Sequence, residues 1–132
     1  MRVRTIRNSF VDCPPHIAMS NSPHAQALLT IGKEYDVHAM ALFEGVLILQ
    51  VMYDQSDIEF PCWYPAWFFV TIDPTLDPDW ICNTFDDEPA MVIGPEFIAA
   101  NVLSYNAMAE LELEMRRKFR YRLESKRKIT DE

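Results

Sequence analysis

Residues 63–73 read WYPAWFFVTID. Aromatic and β-branched residues favour strands, and Pro65 divides the run. The segment therefore predicts two short strands, residues 63–64 and 69–72, joined by a tight turn over Pro65–Phe68. Upstream, Glu44-Gly45 is a hairpin signal between a β-rich run at 35–43 and a return strand at 46–53. The return strand has Val46, Ile48 and Val51 among other apolar residues on both faces, so it expects cover on both sides. Residues 1–7 alternate basic and apolar side chains, with Ile6 breaking the period, and suit a strand with one wet face. Residues 8–28 are rich in Asn, Ser and Pro and read as a long loop with one helical turn at 23–28, capped by Ser22. Downstream, residues 54–60 and 73–79 read as polar turns or loops, and 80–85 and 91–93 as further strands.

Gly94-Pro95-Glu96 then opens a helical segment: glycine caps, proline suits the first helical position, and Glu96 faces the positive end of the dipole. Met108, Leu111, Met115 and Phe119 are spaced to line one face. Ile98 and Val102 fall at a different angle, which predicts a break near Asn101–Asn106. Glu112–Arg116 and Glu114–Lys118 are ion pairs four residues apart in the favourable order. An unbroken helix over 95–127 would be about 50 Å long. A domain of this length has a radius of gyration of about 14 Å. The basic end must therefore protrude, bend back or meet another chain.

A short basic strand at 1–7, LTIGKEYDV at 29–37, a hairpin with VMYD, and WYPAWFFVTID at 63–73 follow one another. In this order the chain resembles small SH3-like barrel proteins of bacteria and phage. Its longer form, with a following tryptophan strand and a Pro-Glu helix, is similar to immunity partners of polymorphic or contact-dependent toxins. The resemblance implies an α+β fold, a small SH3-like β-barrel (1–93) followed by a C-terminal helical segment (95–127) in one domain, 1–132. Its motifs are structural: Gly32 for a turn, Pro65 for a kink, Tyr35 and Phe69 for core. It supplies no catalytic residue.

At 132 residues the chain is the size of one domain. Apolar residues make up 49% and aromatics 12%, which excludes a disordered chain. The three glycines, Gly32, Gly45 and Gly94, stand too far apart for a phosphate cradle, which excludes P-loop and dinucleotide fingerprints. No apolar run approaches the ~20 residues of a membrane span. The first ten residues lack the apolar core of a signal peptide, and Cys13, Cys62 and Cys82 are an odd count, so the reading is a cytoplasmic protein with free thiols. Cys13 and His16 resemble half a metal site without its second half. Cys62 and Cys82, beside tryptophans, read as small buried hydrophobes. No metal or cofactor is implied, and no arrangement of nucleophile, base and orienting group asks for an enzyme.

Charge carries the functional reading. Net charge is −8, and residues 8–115 hold 17 acidic residues against one base, Lys33. Residues 116–128 hold eight bases against Glu124 alone. Either the acidic body pairs with the chain's own basic ends, or it is a surface for a basic partner. The candidate partner-binding residues are Asp73, Asp77, Asp79, Trp80, Asp86, Asp87 and Glu88, in two loops flanking the strand around Trp80. These loops are expected to share one end of the barrel, with Trp80 as a buried anchor, and Asp86–Glu88 to form one acidic field with Asp54, Asp57 and Glu59. Each acidic run alone also reads as a solvated turn, and the aromatics of 63–69 read first as core. The first expectation is a non-enzymatic immunity protein that neutralises a basic toxin domain. The alternatives are a nucleic-acid accessory protein using 116–128 as a basic arm, and an oligomerising interaction protein.

Overall fold

The computed structural model describes residues 1–18, 21–54 and 61–131, with side chains as far as 126. Its organising element is β4 (Val46–Met52), which is buried on both faces. Leu49 and Val51 face one core with Val3, Tyr35, Phe68 and Phe69. Val46 and Ile48 face another with Ala41, Val92, Ile98, Met108, Phe119 and Leu123. The fold is α+β in three layers: a small sheet, a large sheet and a helical layer. A strand apolar on both faces needs cover on both, and β4 has it.

The small sheet runs β2 (Glu34–Asp36), β1 (Arg2–Thr5), β6 (Phe69–Asp73). The large one runs β5 (Pro61–Pro65), β4, β3 (Ala39–Phe43), β8 (Met91–Gly94), β7 (Ile81–Thr84). All pairings are antiparallel. The strands thus form two separate sheets and not one closed barrel, and two crossings explain why. The run 35–43, expected as one strand, is two. The Val37 amide donates to Met1 of the small sheet (2.9 Å), and the next amide, His38, donates to Gln50 of the large one (2.9 Å). The second crossing is the turn expected at Pro65–Phe68, a 3-10 turn over Ala66–Phe68 that carries the chain from β5 into β6. Phe68, fully buried against Phe10, is its pivot.

The β3–β4 hairpin turns on Glu44 and Gly45, both at positive φ (49° and 79°), as the two-residue turn of a hairpin requires. The helical turn in the N-terminal loop is α1 (Pro15–Ala18), not 23–28. Around Ser22 there is only a turn, with the Ser22 hydroxyl accepting from the His24 amide (3.2 Å). The polar turn expected at 54–60 lies, beyond Asp54, outside the described residues.

The C-terminal segment is three helices: α2 (Glu96–Ala99), α3 (Val102–Ala109) and α4 (Leu113–Asp131). The expected break falls at its early edge, where Asn101 caps α3 by accepting from the Ser104 amide (2.8 Å). A second break, at Leu111 with φ 55°, lets α4 fold back. The bend answers the length problem: α4 returns over the large sheet and buries Phe119 and Leu123 there. No helix among the described residues is long and apolar enough to cross a membrane.

Candidate interaction surfaces

Because α4 folds back, its basic residues meet the acidic loop between β6 and β7. Arg122 donates from Nη2 to Asp77 (2.7 Å) and to Asp79 (2.9 Å), and from Nη1 to Asp79 again. Lys126 donates to the same Asp77 oxygen (2.7 Å). Burial alone would raise the Asp77 carboxyl, but its hydrogen bonds and ion pairs with Lys126 and Arg122 outweigh that and leave it below the usual range. Asp79 is lowered mainly by its bond from Arg122. The Arg122 side chain is only 15% exposed, so water screens this cluster less than a surface pair. Asp73 stands exposed and accepts from the Thr75 amide (2.9 Å). Trp80 is half-buried on the small-sheet core, with its indole nitrogen buried and unpartnered.

His38 lies under this latch. Its ring meets Phe119 of α4 edge-on, centroids 5.1 Å apart. Burial pushes its pKa down to about 4, assisted by Lys126 and Arg122 and opposed by Asp36 and Asp77. Its Nδ1 has no hydrogen-bond partner, and neither side-chain polar atom of the neighbouring Gln50 has one.

The second acidic run, Asp86, Asp87 and Glu88, follows β7, whereas the loop of Asp77 and Asp79 precedes it. The two runs therefore sit at opposite ends of β7 and do not form one field. Of the other acids expected there, Asp54 is engaged by Thr30, by Lys33 (2.9 Å) and by Tyr35 (2.7 Å). Asp57 and Glu59 lie outside the described residues. What joins Asp86–Glu88 is Glu44 at the β3–β4 hairpin tip, whose amide donates to Glu88 (2.8 Å). The pairing of β8 between β3 and β7 brings the two turns together. Among the described residues no lysine or arginine pairs with these four carboxylates. Glu44 escaped the sequence candidates because its neighbour in space depends on that pairing.

An aromatic groove of about 400 Å³ opens nearby, lined by Phe10, Phe43, Trp63, Tyr64 and Tyr105. Phe43 is adjacent to Glu44 in the chain. Burial, then the charge of Glu88, pushes the Tyr105 hydroxyl up to about 12. Trp63 and Tyr105 pack with centroids 5.4 Å apart. The acidic tip thus has an aromatic anchor beside it, a part the sequence assigned to Trp80.

Of the thiols, Cys62 touches the groove through a side-chain hydrogen bond with Tyr64. Cys13 and Cys62 are half-buried, and Cys82 is exposed on edge strand β7, not buried as expected. Among the described residues no group of three His, Cys, Asp or Glu side chains is arranged to hold a metal ion.

No known family matches the chain, and no curated protein or solved structure is significantly similar to it.

Proposed function

We propose that this chain is a non-enzymatic binding protein that neutralises a basic protein partner, a toxin domain, in the manner of a cytoplasmic immunity protein. The observation that carries the reading is the tip formed by Glu44, Asp86, Asp87 and Glu88, which no lysine or arginine pairs among the described residues and which adjoins, through Phe43, an aromatic groove. Carboxylates of one sign raise the association rate of a basic partner, and aromatic faces hold lysine or arginine by cation–π contact. In this reading Asp73, Asp86, Asp87 and Glu88 stay partner-facing, whereas Asp77, Asp79 and Trp80 belong to the chain's own architecture. We read residues 1–73 as an opened relative of the SH3-like barrels, because β1 still pairs with both β2 and β6. The nucleic-acid alternative is weakened by the loss of Arg122 and Lys126 to Asp77 and Asp79.

The test is Asp86→Lys with Asp87→Lys, measured against the product of an adjacent toxin-like reading frame. The double variant folds like wild type, associates more slowly at low salt, and converges on wild type as salt rises. Unchanged, salt-independent association, or failure of co-expression to protect cells, refutes the proposal.

A further inference from the structure

The helical layer holds a second surface of opposite sign. Leu103, Leu113 and Tyr121 are 79%, 55% and 73% exposed, Leu103 and Tyr121 more than any other large hydrophobic side chain among the described residues, and all three stand on α3 and α4. Leu113, Arg117 and Tyr121 follow at four-residue intervals, so they share one stripe of α4. Arg117 and Tyr121 of this stripe line a groove of about 830 Å³ between α4 and the α2–α3 pair. Phe97, Ala100 and Met115 supply its apolar surface, and Arg117 and Lys118 stand on its α4 side. Arg122 also lines it but is held by Asp77 and Asp79. Arg117 and Lys118 are exposed and make no ion pair among the described residues, so the Glu114–Lys118 pair expected from the spacing is not formed.

A merely solvated basic face has no use for an exposed tyrosine over an apolar groove. Exposed apolar surface rimmed by charge marks an interaction site. We propose that this groove binds an amphipathic helix of a partner protein, whose apolar side chains enter between α3 and α4 while its carboxylates meet Arg117 and Lys118. Two helices with an apolar groove between them are completed by a third, and the free cations on the α4 side select an acidic one. Glu96, on the opposite wall, repels carboxylates and so orients the incoming helix with its acids toward α4. The proposal does not depend on the acidic-tip reading.

The probe is a fluorescein-labelled peptide of Leu and Glu with its leucines three and four residues apart, alongside a twin carrying Lys for every Glu. Titrated with the full chain, the Glu peptide shows saturable anisotropy and the Lys twin does not. Arg117→Glu with Lys118→Glu, both on the surface, weakens the Glu peptide by about tenfold, two reversed rim charges at roughly 0.7 kcal/mol each. Tyr121→Ala also weakens it, whereas Glu96→Gln strengthens it by about twofold. Equal binding of both peptides, preference for the Lys twin, or indifference to the double charge reversal overturns the proposal. So does concentration-dependent dimerisation of the chain that Arg117→Glu with Lys118→Glu abolishes, because a second copy would then be the occupant.

Discussion

His38 makes stability depend on pH in a window where the latch carboxylates do not. Its pKa falls from 6.5 to about 4 on folding, chiefly through burial. The unfolded chain therefore takes up the proton first, and stability is lost as pH drops from the unfolded value toward the folded one. Between pH 7 and 5 the loss is about 2 kcal/mol, at roughly 1.4 kcal/mol for each unit of pH over which only the unfolded state is protonated. Asp77 and Asp79 act lower: their folded pKa values lie below the ordinary 3.8, so their contribution is intact above that and fades as pH falls through the folded values. The perturbation is His38→Leu, which keeps an apolar contact for Phe119 and removes both the proton site and the unpartnered Nδ1. Urea unfolding followed by tryptophan fluorescence at pH 7, 6 and 5 reads the result. The wild-type midpoint falls with pH at constant m-value, and the His38→Leu midpoint stays level. A flat wild type, or the same slope in His38→Leu, refutes the reasoning.

Two further predictions bear on the fold around this site. Asp77→Lys puts a third cation beside Arg122 and Lys126 and should cost about 2 kcal/mol, less than the 3–5 kcal/mol of breaking a fully buried pair because the cluster is partly open to water; chemical denaturation checks it, and a variant as stable as wild type would mean that α4 is held by its apolar face alone. Gly94→Ala places a methyl 2.9 Å from the Ala39 Cβ and 3.4 Å from its Cα, inside the sheet where neither strand can move freely, so melting should report a loss of about 1–3 kcal/mol; an unchanged midpoint would show that β8 can shift away from β3.

The elements legible in the sequence were those written in local chemistry. The Glu44-Gly45 turn, the two-faced strand β4 and the Pro65 kink each follow from a few adjacent residues, and each is present. The break at Asn101 was legible because the apolar angle changes there. What local reading misses is where the chain changes partner. Nothing in the β-rich run 35–43 marks that the Val37 amide pairs with one sheet and the His38 amide with the other, so a closed barrel is the simpler expectation. Gly94 reads locally as a helix cap, but Pro95 occupies that position, and Gly94 lies where Ala39 leaves no room for a side chain. The interaction surfaces follow the same division. Asp86–Glu88 was legible as a run, and pairing of the acidic body with the basic end as one of two readings, but the presence of Glu44 beside the run and the choice of Asp77 and Asp79 as the paired acids were not, because both depend on long-range pairing.

The return of α4 decides the charge of two surfaces at once. By bringing Arg122 and Lys126 onto Asp77 and Asp79 it occupies those carboxylates and leaves the Glu44–Glu88 tip as an acidic surface without a cation of its own among the described residues. The same return forms one wall of the groove that carries Arg117, Lys118 and Tyr121. The two proposed partners should therefore respond differently to the latch. Asp77→Lys weakens the seat of α4, so binding of the acidic peptide should fall along with helix docking. The tip is built from the β3–β4 hairpin and the turn between β7 and β8, neither of which includes Asp77. Association of a basic partner with the tip should persist while the groove is lost, and equal loss of both would mean that the two surfaces share one cooperative unit.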